Sequence, residues 1–123
     1  IDIASPAIEK AKNWVKSEGL TDKVDLEVGD VTNLPYVDKF FDAVYDGHTM
    51  EFIPEKERYV KEVARVLKRH GLFFLFESIP PASPHNVDPK YLVKILKRNF
   101  EILETNNPHS ASLTVVATKR LVT

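Results

Sequence analysis

The stretch Tyr59–Ser78, YVKEVARVLKRHGLFFLFES, decides the architecture. In its first half Tyr59, Val60, Val63 and Leu67 recur at helical spacing with charged residues between them, the pattern of a helix with one apolar stripe. A helix is expected from about Pro54 to Arg69, closed by Gly71. Its second half, Leu72–Phe76, is an unbroken apolar run, which suits a central parallel strand covered on both faces. A helix that feeds such a strand needs a parallel strand before it. FDAVY, Phe41–Tyr45, supplies one.

The same alternation continues outward in both directions. Upstream, KVDLEVGD places Val24, Leu26 and Val28 alternately with Asp25 and Glu27, as in an edge strand covered on one face. Before it a helix is expected from Pro6 to Glu18, with Ser5 as its N-cap and Ile8, Ala11 and Val15 as its stripe. Gly19 is suited to the left-handed stop. Ile1–Ile3 then read as the last residues of a strand. Downstream, Asp88 and Pro89 repeat the cap-then-proline signal and open a third helix over Lys90–Asn99. FEILE and SLTVVATK follow as two strands whose connection is too short for a crossover helix, so they are expected to be antiparallel neighbours. The sum is a single α/β domain, a mixed and mostly parallel sheet with a C-terminal antiparallel hairpin and helices on both faces.

Composition narrows the function classes. The chain has 123 residues, 43% hydrophobic and 28% charged, with a formal net charge of -1, so nothing in its charge calls for nucleic acid or an anionic membrane. The lysines Lys10, Lys12 and Lys16 read as a solvated helix face. Without cysteine there is no disulfide framework, thiolate metal site or cysteine nucleophile. No signal peptide and no long apolar span is evident, which makes a cytoplasmic location the expectation. Abundant Lys and Glu beside absent Gln and Cys fit a heat-adapted source.

Ligands of open α/β sheets bind beyond the carboxyl ends of the strands. Three acids fall there: Asp2 after the first stub, Asp30 after LEVG and Asp46 after FDAVY. Such carboxylates can accept from ribose hydroxyls or an exocyclic amine, and each can equally serve as a turn or cap residue.

In this order, IDIASPAIEKAK, KVDLEVGDVTNLPYVDKFFDAVYD and YVKEVARVLKRHGLFFLFES make the chain resemble the class I S-adenosylmethionine-dependent methyltransferases nearly end to end. The resemblance implies a Rossmann-like fold and the cofactor S-adenosylmethionine, leaving as S-adenosylhomocysteine. It implies that Asp2, with Ile3, holds the ribose hydroxyls. Asp30 accepts from the adenine amine, and the Val31 amide faces the ring. Asp46, Gly47 and His48 pass the methionine part and the acceptor. TMEFIP and KRHG depart from the family's usual segments. The family's first strand and Gly-rich loop would lie upstream of Ile1, so the chain is expected to be an N-terminally incomplete domain. With that strand absent, the neighbouring strands are expected to pair directly or to borrow a strand from another copy, which predicts a homodimer through unpaired strand edges.

Methyl transfer from a sulfonium depends mainly on placing donor and acceptor in line. A base helps where the acceptor must lose a proton, and among His48, Glu51 and Tyr36 the imidazole of His48 is the expected choice. His70 is expected at the carbonyl end of its helix, and His85 and His109 stand isolated in loops. No His or acid cluster has metal-ligand spacing along the chain, so no metal is expected. The absence of an Asn-Pro-Pro-aromatic motif after FDAVY turns the expectation from nucleic-acid bases to a small-molecule acceptor. The competing readings are a non-catalytic remnant serving as an interaction or dimerising module, and a nicotinamide-dependent oxidoreductase, which would not need the GDV turn.

Overall fold

A computed structural model of the chain describes residues 1–78, 88–106 and 112–120. These form two compact units, Ile1–Pro35 and Tyr36–Thr123.

In the first unit, helix α1 spans Ser5–Ser17 with Ile8 and Val15 buried. It starts one residue earlier than expected. Ser5 is already helical, Ala4 is the cap, and the stabilising contact comes from upstream, where Asp2 Oδ1 accepts from the Ala4 amide at 2.8 Å. Gly19 has φ +68°, and the Leu20 amide reaches back to Val15 O, so the left-handed stop forms as the sequence indicates. The expected strand over Val24–Val28 does not develop. The Asp2 amide donates to Glu27 O and the Gly29 amide to Asp2 O, giving a single parallel bridge between Asp2 and Val28. Alternation supplied a strand pattern, but Val28 stays half-exposed at 54%, so no apolar face is covered that would favour a longer ladder.

The second unit runs β1 (Phe41–Gly47), α2 (Lys56–Val66), β2 (Leu67–Ser78), α3 (Pro89–Leu96), β3 (Phe100–Thr105) and β4 (Ser112–Lys119), and its four strands build one sheet in the order β1-β2-β4-β3. β1 and β2 are parallel, while β4 is antiparallel to both β2 and β3. This is the mixed sheet with its closing hairpin. Among the described strands one ladder is parallel and two are antiparallel. Along β2 burial alternates: Phe73, Leu75 and Glu77 are buried, whereas Leu72 and Phe74 are half-covered and Phe76 is exposed. The buried face meets Tyr59 of α2 edge-on to Phe73, and Phe73 in turn packs on Phe100 at 5.4 Å between ring centres. Val60 and Val63 of α2 with Leu92, Ile95 and Leu96 of α3 complete this core.

The α2–β2 junction differs from expectation. The helix ends at Val66 and the strand begins at once with Leu67, so KRHG lies inside β2 rather than in a turn. His70, not Gly71, takes the left-handed conformation, with φ 64°. It therefore sits in the strand and not at a helix end. The register shifts here, Phe41 facing Leu67 and Ala43 facing Leu72, which marks a bulge. Gly71 is required for space: a Cβ there would lie 2.8 Å from Lys68 O and 2.9 Å from Leu67 Cδ2. α3 opens as predicted, with Asp88 Oδ1 accepting from the Lys90 amide at 3.0 Å. His85 and His109 lie outside the described residues.

Candidate functional site

Each unit presents a set of polar groups beside a parallel pairing, the Asp2–Val28 bridge in the first and the β1–β2 ladder in the second. In the first unit the parallel bridge sets Asp2 opposite Val28, so Asp30 follows two positions beyond Asp2's partner. Gly29 closes against the other segment, where a Cβ would stand 2.8 Å from Ile1 Cδ1. Both acids are exposed and both are fixed by local bonds: Asp2 Oδ1 by the Ala4 amide, and Asp30 Oδ1 by the Thr32 amide and hydroxyl at 2.8 and 2.7 Å. Each is thus an Asx-type turn residue as well as a candidate ligand group. These two roles are compatible, because a carboxylate accepts about four hydrogen bonds. Ile3 is exposed and Val31 half-exposed beside them.

In the second unit β1 ends with Tyr45, Asp46 and Gly47, and a turn carries the chain through His48 and Thr49 into a short 3-10 helix, Met50–Phe52. Asp46 is buried, and both its oxygens are engaged: Oδ2 accepts from the Tyr59 hydroxyl at 2.6 Å and Oδ1 from the Thr49 amide at 2.9 Å. Burial holds its carboxyl above the usual range although both bonds pull the other way. The Tyr59 phenol is correspondingly pushed far up by burial and by the Asp46 charge. What Asp46 can offer a ligand is therefore its backbone. Gly47 is exposed, with the Tyr45 ring lying over it 3.2 Å from where a Cβ would be. Tyr45 and Phe76 form an exposed tilted pair on this face of the sheet.

His48 is exposed, its amide donates to Phe76 O at 2.8 Å, and its Nδ1 lies 3.4 Å from Ser78 Oγ. Of the other bases weighed, Glu51 stands near it and Tyr36 does not. Tyr36 packs edge-on to Phe41 at the amino end of β1, the opposite end from Gly47.

Sequence reasoning missed Glu77. It occupies the core-facing parity of β2 after Phe73 and Leu75 and is fully buried. Among the described residues neither carboxylate oxygen has a hydrogen-bond partner. Burial first, then the charge of Asp46, pushes its carboxyl up to about 7; the Met50 and Glu51 amides face it and pull down without closing a bond. The signal was a charged residue at a strictly buried step of an alternating strand. Spacing along the chain offered no metal-ligand set. The fold nevertheless brings donor atoms of His48, Glu51 and Glu77 within 4.8 Å of one another.

Comparison with known proteins adds to this geometry. Residues 1–75 match the family described as a methyltransferase domain. Methyltransferase GfsG of Streptomyces halstedii is 34% identical over 70 residues, covering 57% of this chain and 25% of that protein. The demethylmenaquinone methyltransferase of Lactobacillus johnsonii is 30% identical over 84 residues, covering 68% and 34%. The chain thus spans a quarter to a third of the length of these relatives. Among solved structures, the [4+2]-cyclase SpnF superposes with a TM-score of 0.88 at 18% identity, over 98% of this chain and 64% of that one. That likeness concerns the fold alone.

Proposed function

The chain belongs to the methyltransferase-domain family, whose class I members use S-adenosylmethionine, and on that premise we propose that it forms a single domain that transfers a methyl group to a small-molecule acceptor. The observation that carries the reading is the pair of exposed, locally fixed carboxylates Asp2 and Asp30 on adjoining parallel segments. Their donor chemistry fits the cofactor: a ribose diol and an adenine amine both donate, and carboxylates only accept.

When bound, the cofactor supplies an electrophilic methyl group on a sulfonium. Asp2, with Ile3 beside it, accepts from the ribose hydroxyls. Asp30 would accept from the exocyclic amine, and the Val31 amide would serve the ring. In the second unit the bonds from Tyr59 and Thr49 to the Asp46 carboxylate hold the backbone of Asp46 and Gly47 in shape, and the family resemblance would assign that backbone to the methionine part. His48, exposed at the carboxyl end of β1, takes the acceptor's proton on its imidazole where the acceptor must lose one. Tyr45 and Phe76 offer an apolar platform there. A small acceptor fits the demethylmenaquinone relative and the net charge of -1. No described helix is long and apolar enough to cross a membrane.

Calorimetric titration with S-adenosylhomocysteine, set beside Asp30→Ala, tests the reading. Binding that the substitution removes supports it, with a stabilisation of about 2.7 kcal/mol at ~100 times the dissociation constant. No heat and no thermal shift would sink it. The second reading, a pairing module that has lost cofactor binding, is favoured by β1, which has a ladder to β2 alone in the described sheet. Sedimentation showing a dimer that Val44→Pro disperses, together with no cofactor binding, would favour that module.

A further inference from the structure

We propose that His48, Glu51 and Glu77 form a divalent-cation site at the carboxyl end of the parallel β1–β2 pair. Three observations carry it. The donor atoms already lie within 4.8 Å of one another although they come from a turn, a short 3-10 helix and a strand end. Donors around one ion at about 2.1 Å stand roughly 3 to 4.2 Å apart, so a small contraction closes the set. Second, Glu77 is fully buried, yet among the described residues both its oxygens lack a hydrogen-bond partner, and a carboxylate oxygen lies in this cluster. Buried carboxylates are ordinarily hydrogen-bonded, paired or coordinated. Among the described residues no Lys or Arg is paired with Glu77, and the nearby charges are the acids Asp46 and Glu51. An ion is the group that would satisfy it. Third, the set is graded in exposure, Glu77 buried, Glu51 half-buried and His48 exposed, so the ion would rest on an interior anchor and keep positions open toward solvent.

One imidazole with two carboxylates suits a cation between hard and borderline, Mn2+ or Zn2+. Glu51 also has an interaction of its own within the protein, which the ion would share or displace. The site deepens the methyl-transfer reading and rests on it for its purpose. The open positions could hold an oxygen of the acceptor. A neutral imidazole has one free lone pair, so His48 is a ligand when the ion is bound and a base only without it.

Binding can be read without the cofactor. The full chain, stripped with a chelator, is titrated with Mn2+ followed by electron paramagnetic resonance, and with Zn2+ followed by calorimetry. A single class of site is expected, weakened ~10-fold or more in Glu51→Gln, Glu77→Gln and His48→Ala, with Glu104→Gln on the exposed face of β3 unchanged. Circular dichroism establishes that each variant is folded, and Glu51→Gln serves if a change at buried Glu77 prevents folding. No binding of either ion at millimolar concentration, or equal binding in all three ligand variants, overturns the proposal. Metal binding without affinity for S-adenosylhomocysteine leaves the site standing and removes the methyltransferase reading.

Discussion

The Tyr59 hydroxyl donates to Asp46 Oδ2 at 2.6 Å across 13 positions of sequence, between the buried side of α2 and the end of β1. This bond couples the core to the turn that carries His48, because the other oxygen of Asp46 accepts from the Thr49 amide. Tyr59→Phe leaves a buried carboxylate short of one donor. A loss of about 1–3 kcal/mol is expected in urea denaturation, the cost of an unsatisfied buried polar group. The Asp46 carboxyl should also move further up, since the bond that pulls it down is gone. An unchanged midpoint would show that water replaces the phenol.

Glu77 makes stability depend on pH in a stated direction. Its carboxyl is raised from 4.5 to about 7 in the folded chain, so folding favours the protonated form. The unfolded state releases its proton first, and stability falls as pH rises between those two values. Asp46, Glu51 and His48 face the same space, and Asp46, also raised, adds to the fall in the same direction. In chelator, Glu77→Gln should flatten this part of the profile and be the more stable protein at pH ~8. Thermal melts across the range read it directly, and a parallel fall in both proteins would exclude Glu77 as the source.

The bulge at the start of β2 predicts opposite signs for adjacent substitutions. Gly71→Ala forces a Cβ within 2.8 Å of Lys68 O and should destabilise by about 1–3 kcal/mol. His70→Gly relieves a left-handed residue with φ 64°, worth about 1–2 kcal/mol against the ~0.5–1 kcal/mol that glycine loses in chain entropy. Chemical denaturation of the pair decides it. Destabilisation by both would mean that the His70 side chain contributes more than its backbone costs.

Asp2→Asn separates the two jobs of that residue. The amide oxygen can still accept from the Ala4 amide, so α1 should keep its helicity by circular dichroism. On the proposed reading the charge that would strengthen a bond from ribose is lost, and affinity for S-adenosylhomocysteine should fall by ~10- to 100-fold. Equal affinity would place the ribose elsewhere.

Much of this was legible along the chain. The stripe of α1, that of α2 except for Leu67, which falls in β2, the stop at Gly19, the cap at Asp88 and the closing hairpin all form, because each rests on short-range chemistry that a few neighbouring residues decide. The strand over Val24–Val28 was not, since a ladder needs a partner that alternation does not specify. Nor was the junction at KRHG: glycine after a helix usually means a turn, whereas here the crowding of Lys68 and Leu67 demands it inside a strand. Asp2 and Asp30 were candidates by position along the chain, whereas the pairing of Asp46 with Tyr59 and the meeting of Glu77 with His48 depend on the register between β1 and β2.

The strand order β1-β2-β4-β3 also sets a schedule for synthesis. β4 is the last of the four strands to be made, yet it stands between β2 and β3. Until it emerges, β2 has one neighbour and β3 has none among the described strands, and the ladder between β2 and β4 must close across more than 30 residues from Ser78 to Ser112. Non-local closure of this kind is slow. A chain still on the ribosome would therefore hold the edge of LFFLF open until β4 arrives, and that interval is when it most needs protection from other nascent chains.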